Sequence, residues 1–434
     1  MSAPRDRRFA LLFMVMFTIA AGNTALQSVL PAIGRVLHVR DAWVAAAFSV
    51  SALLWVVAAP YWASRSDRQG RRAMVLLGMG GLVASLGLCG VFLAAGINGW
   101  IGGATTFFLF IAGRMIYGGL GSAAPPAVQA LVAGETTREE RTRALTLLGS
   151  AFGLGTIIGP AIAPYLVLGG IAGVTIGLAG PALVGALFGL AMLIVVARLL
   201  PADRGMASQG AATAYPSIGG QSTGASITAA TAPRIEAVRY LDRRVRGWLM
   251  IGLVTGHAQA MTGQAIGFLV IDRLRLAPAD ALQPTGLVLI MGAGAALLVQ
   301  WGVIPLLALT PRRLVLIGCA AAALGCALTG LATSLYGIAL AYALAAAGFG
   351  FVRPGFTAGA SLAVGPGGQG SVAGKVTSIN GASFVLGPSI GVGLYELVHP
   401  LPYLLAAGAL VATIGYAARV LRASADRAGI SSIP

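Results

Sequence analysis

The chain is poor in charge, and poorest in acid. Of its 434 residues only 10% are charged, with 13 acidic, 29 basic and three histidine side chains, while 57% are hydrophobic. A water-soluble globular domain carries about 25% charged residues, so the shortfall excludes that class and points to a chain immersed in lipid. His38 and His399 fall near the ends of apolar stretches, as do the acids nearest them, leaving only His257 inside one. An intramembrane enzyme needs clustered His, Asp, Glu or Ser groups on facing helices, so an enzyme or a sensor is the minor alternative. Three cysteines, Cys89, Cys319 and Cys326, lie within apolar runs and show neither metal spacing nor a redox motif. Cys319 and Cys326 stand two helical turns apart, too far for a disulfide. No phosphate-binding loop is present to use ATP directly, and no cofactor or metal is expected.

What is abundant is long apolar runs with arginine between them. The net charge is +16 and Lys375 is the one lysine. A nucleic-acid binder would gather such charge on a water-soluble face; here it sits in short runs between apolar stretches, so no nucleic acid is expected. A bilayer core of ~30 Å needs roughly 20 apolar helical residues. That ruler predicts twelve spans, near 9–36, 42–64, 73–96, 104–131, 144–168 and 174–199, then 246–271, 282–306, 314–334, 336–364, 372–396 and 402–421. Barrel strands would need only about 10 alternating residues each. The first run follows Arg5, Arg7 and Arg8 but continues past Leu30, longer than a signal-peptide core, and is read as a retained helix. With the N-terminus inside, 22 basic residues fall in inner segments and four (Arg35, Arg40, Arg273, Arg275) in outer ones, which predicts both termini cytoplasmic. The expected fold is therefore an all-α polytopic membrane protein of two six-helix bundles. These are residues 1–200 and 241–421, joined by a flexible cytoplasmic linker at 201–240 rich in Ala, Ser, Thr and Gly and followed by a tail at 422–434.

The two bundles echo each other. Gly119-Leu120-Gly121 with Pro125 in the fourth span is matched by Gly348-Phe349-Gly350 with Pro354 in the tenth, an offset of 229; Gly159-Pro160 in the fifth is matched by Gly387-Pro388 in the eleventh, an offset of 228. Parallel repeats of this kind put a substrate site near the midplane, where the halves meet.

Three motifs carry mechanism. Between spans two and three lies Ala63-Ser64-Arg65-Ser66-Asp67-Arg68-Gln69-Gly70-Arg71-Arg72, a short loop whose carboxylate and arginines can lock helix ends together. Arg114 stands inside the fourth span, where a guanidinium usually faces the bundle interior. Gly149, Gly153, Gly155 and Gly159-Pro160 place small residues along the fifth span, where they allow close helix approach and a kink. Together these resemble the major facilitator superfamily, in particular its twelve-helix drug:proton antiporter branch of tetracycline and multidrug exporters. The loop resembles the superfamily signature, with Ala63 in place of the usual first Gly and Arg65 in place of an apolar residue. Arg114 matches the arginine that the resemblance associates with proton coupling. Gly155, Gly159 and Pro160 match the exporter motif, whose closing Gly-Gly is Ala163-Pro164 here.

The resemblance implies a secondary active exporter of small amphipathic compounds in a bacterial-type inner membrane, working by alternating access in exchange for protons, as a monomer in the bilayer. An importer of a small metabolite is the alternative on the same fold. Asp67, Arg68, Gly70, Arg71, Arg72, Gly155, Gly159 and Pro160 become the expected gating residues, and Arg114 and His257 the candidates for proton coupling. One departure stands out: no carboxylate lies in mid-span to carry a proton, and Asp272 and Glu396 come closest, both towards the outer face, with Glu396 expected among headgroups. The expected cavity residues are Asn23 and Gln27, Arg114, His257 and Gln264, Arg353, and Asn380 with Phe384. Apolar walls with a few placed polar groups suit an amphipathic ligand. Arg353 requires either an anionic ligand or freed carbonyls and water as its partner.

Overall fold

The computed structural model describes residues 3–136, 138–201, 238–307, 309–365 and 368–427. In lipid every backbone N–H and C=O must be satisfied within the segment, which leaves the helix as the only open-ended solution. Twelve such spans appear: α1 Ala3–Val36, α2 Asp41–Gln69, α3 Arg71–Ile97, α4 Gly103–Glu135, α5 Arg138–Ile162 and α6 Gly180–Leu199 in the first half. In the second half are α7 Arg246–Leu274, α8 Leu282–Leu307, α9 Pro311–Leu331, α10 Leu335–Leu362, α11 Gln369–Leu397 and α12 Leu401–Arg427. Ten of them are long and apolar enough to cross a membrane, and the exceptions are α7 and α11. Those two carry His257, Gln259, Gln264 and Asn380, polar side chains that suit a helix facing its partner half rather than lipid.

The duplication read from the sequence is visible in how helices approach. On α5 a Cβ at Gly155 would lie 2.6 Å from the Phe17 carbonyl oxygen of α1. On α11, a Cβ at Gly391 would lie 2.5 Å from Cα of Met261 on α7. Thus α5 crosses α1 as α11 crosses α7, in both cases because a missing side chain lets backbones touch. Likewise Gly81 of α3 admits Leu120 and Gly121 of α4, and Gly325 of α9 admits Ala345 of α10.

Two expectations need correction. The segment 63–72 is not a loop: α2 runs on to Gln69, α3 starts at Arg71, and the turn is Gly70 alone, at φ 90°, which glycine adopts without a Cβ clash. The stretch expected to close span five at 168 and open span six at 174 is instead a β-hairpin, β1 Leu168–Ile171 paired antiparallel with β2 Val174–Gly177. Its two turn residues, Ala172 and Gly173, both have positive φ, as a tight hairpin turn matched to strand twist requires. Asn98, at the end of α3, clips this hairpin by donating to the Thr175 carbonyl at 2.8 Å and accepting from its N–H at 2.9 Å. The last helix, α12, runs on to Arg427, while its apolar span ends at Leu421 as expected. The proposed linker lies almost wholly in 202–237, outside the described residues, as does 428–434.

Candidate functional site

The halves meet along three seams, and residue spacing shows why each holds. On α1 and α7, which run parallel, Gln27 donates to Gln264 at 2.9 Å, Pro31 sits where a Cβ on Gly267 would be, and Arg35 donates to Asp272 at 3.0 Å. Steps of about four residues keep these on one helix face. On α2 and α11, which run antiparallel, the Ala42 N–H donates to Glu396, Ser49 and Ser389 share a hydrogen bond of 2.7 Å, and Val56 fills the space beside Gly381. The seven-residue steps 42, 49 and 56 are two turns each, the spacing of a straight helix seam. The third seam sets Gly286 of α8 against Pro160 and Pro164.

These contacts run from mid-helix to the ends opposite the termini, where they finish in an ion-pair cluster. Arg35 grips Asp41 through Nε at 2.8 Å and Nη2 at 2.6 Å, and reaches Asp272 of the other half. Asp272 also accepts from the Tyr395 hydroxyl at 2.7 Å, and Arg40 pairs with Glu396 at 3.3 Å. Glu396, expected among the headgroups, also caps α2 across the interface. Asp272→Asn is expected to weaken the cluster by up to about 1.4 kcal/mol, one charge-assisted bond discounted for the one-third exposure of Arg35. The labelling rate of a Ser49→Cys side chain by an impermeant maleimide should rise up to about tenfold. An unchanged rate would show that the apolar seam alone keeps this mouth shut.

Beside the seams, at mid-length, a narrow cleft is lined by Thr156 from α5, Gln259 and Thr262 from α7, Gln300 from α8, and Tyr342, Phe349 and Arg353 from α10. In this state it has room for water but not for a drug-sized molecule. Gln300 lies in a π-helical stretch, Leu298–Val303, a departure from α geometry often found at functional sites. Arg353 is 9% exposed, and none of its three guanidinium nitrogens has a hydrogen-bond partner among the described residues.

The other expected residues divide. Gln27 and Gln264 join the halves above the cleft. Asn380 and Phe384 are buried on α11, Phe384 in the apolar core. His257 bonds to the Leu253 carbonyl at 2.8 Å and to Ser383 at 3.3 Å, which holds α7 to α11. Arg114 is not on the cleft. It is fully enclosed in the first half, donating to Asn23 Oδ1 and lying over the rings of Phe48 at 5.2 Å and Tyr117 at 4.7 Å. Arg71 donates to the Ala130 carbonyl of α4 and Arg72 to the Ala197 carbonyl of α6, so these two bind the first half to itself. The side chains of Asp67 and Arg68 lie outside the described residues. Sequence reasoning missed Thr156, Gln259, Thr262 and Gln300. Gln259 and Gln300 were findable as uncharged polar groups inside apolar spans, whereas the threonines, at home in any helix, gave no signal.

Two pseudo-symmetric six-helix bundles around a central cleft define a polytopic membrane transporter. The Major Facilitator Superfamily profile matches residues 12–391, and the chain belongs to that family of transport proteins. Among curated relatives, the multidrug resistance protein MdtG of Yersinia enterocolitica is 33% identical over 127 residues, 29% of this chain and 27% of that protein. Multidrug resistance protein 2 of Bacillus subtilis is 29% identical over 161 residues, 36% of each chain. The matches thus span about a quarter to a third of those relatives. Among solved structures, the human organic anion transporter MFSD10 (TETRAN) superposes with a TM-score of 0.63 at 17% identity, covering 96% of this chain and all of that one. A bacterial homologue of the human lysosomal transporter Spinster, in an inward-facing and occupied conformation, gives 0.67 at 11% identity, covering 98% of each. At those identities the likeness is one of fold.

Proposed function

We propose that this chain exports small amphipathic organic compounds across a bacterial-type inner membrane, by alternating access and in exchange for protons. One observation carries the reading: polar and apolar seams close the cleft towards the face opposite the termini. With the termini inside, as the arginine distribution has it, this is a state whose outer mouth is shut, which alternating access requires of an exporter for loading and of an importer for release. The multidrug names of the partial relatives support the direction. The proton route is assigned to Arg114, whose enclosed guanidinium ties α4 to Asn23 of α1 within the first half. His257, already committed to Leu253 and Ser383, becomes a fastener between α7 and α11.

Everted vesicles loaded with a pH-sensitive dye test this. On adding a panel of drugs, siderophores and metabolites, particular compounds should release protons from the lumen, and Arg114→Ala should abolish the signal while the protein still inserts. Uptake in right-side-out vesicles with no proton release in everted ones would establish the importer reading instead.

A further inference from the structure

The cleft contains one charge. Arg353 is buried, its guanidinium nitrogens have no hydrogen-bond partner among the described residues, and every other side chain lining the cleft is neutral. Removing a cation from water costs several kcal/mol unless a partner returns it. Arg114 shows how this protein meets that cost for another enclosed arginine, with an amide oxygen and two aromatic faces. Among the described residues Arg353 has no such cradle.

The internal repeat sharpens the contrast. The offset that superposes Pro125 on Pro354 superposes Ala124 on Arg353, and Ala124 is fully buried, packed where a Cβ on Gly78 would reach it. One half of the fold therefore fills this helical position with a methyl group. The first half does without a guanidinium at this position, and in the second half Arg353 lines the cleft with its nitrogens enclosed.

We infer that Arg353 is an anion subsite, taking the carboxylate or sulfonate of an organic anion whose apolar body lies against Leu289, Tyr342 and Phe349. A planar guanidinium meets such a group with two parallel hydrogen bonds, and the Gln259 amide lies in the same cleft. This rests on the reading of the cleft as the substrate site, but not on the direction of transport.

The test is thermal unfolding of the full chain in lipid nanodiscs with 2-naphthoate, 2-naphthalenesulfonate, benzoate and the neutral isostere 2-naphthamide. Wild type should bind 2-naphthoate at least tenfold more tightly than 2-naphthamide. Arg353→Met should bring the two to parity, and Arg353→Lys should restore part of the preference. Should Arg353→Met fail to fold, the matched ligands on wild type and Arg353→Lys decide. Equal binding of acid and amide by wild type, or no Arg353-dependent stabilisation by any of the anions, would overturn the inference. Anion binding without transport in vesicles would overturn the exporter reading alone. Export that persists with no anion preference would overturn the subsite alone.

Discussion

Oxidising a Ser49→Cys, Ser389→Cys pair is expected to stop transport almost completely, and reduction to restore it. The two hydroxyl oxygens are 2.7 Å apart across the halves, one on α2 and one on α11, so sulfur atoms in their place can reach bonding distance. The seam they belong to must part for the outer mouth to open, and a covalent bond there removes that state from the cycle. Cys89, Cys319 and Cys326 are buried, which confines oxidation to the introduced pair. Each single substitution removes only one part-buried hydrogen bond and should leave most of the flux. Full transport by a pair shown to be cross-linked would mean that the halves do not separate here.

The second large effect is expected from Gly159→Leu. A Cβ at this position would lie 2.5 Å from the Ala21 carbonyl oxygen and 2.9 Å from the Ala25 amide nitrogen, with the Thr24 hydroxyl closer still. These are backbone atoms of α1, so relief requires the two helices to move apart rather than a side chain to turn. Overpacking a well-fitted core costs about 1–3 kcal/mol, and more where the backbone must shift. Thermal unfolding in detergent should drop by several degrees and transport should largely disappear. Gly408 of α12 has nothing within 4 Å of its missing Cβ, and Gly408→Ala should leave both unchanged. Similar losses at the two positions would show that the α1–α5 crossing is not a special contact.

The twelve spans, their pairing as repeats and the family were legible because each rests on a signal spread over many residues: apolar length, arginine placement and glycines recurring at a fixed offset. The helical nature of 63–72 was not legible, because charge and polarity suggest a loop while the backbone only needed one glycine, Gly70, to turn. The hairpin at 168–177 was hidden for a related reason, since its apolar residues extend the hydropathy of the helices either side. The gate was half visible. Asp272 and Glu396 could be placed towards the outer face, but their partners Arg35 and Arg40 lie hundreds of residues away and nothing local pairs them. Arg353 was visible as a buried cation in need of an anion or water. What only the fold supplied was its company, with Gln259 and Gln300 brought in from other spans and Arg114 drawn away to Asn23.

The central claim is that the two halves rock about the cleft, closing one mouth as the other opens. Paired spin labels measure this directly: one pair at Trp43 and Leu397, the outer ends of α2 and α11, and one at Gln69 and Gly374, their inner ends, all four exposed. Under a proton gradient with a transported compound, the outer distance should lengthen as the inner distance shortens. Distances that both stay fixed, or that lengthen together, while transport proceeds would contradict the account.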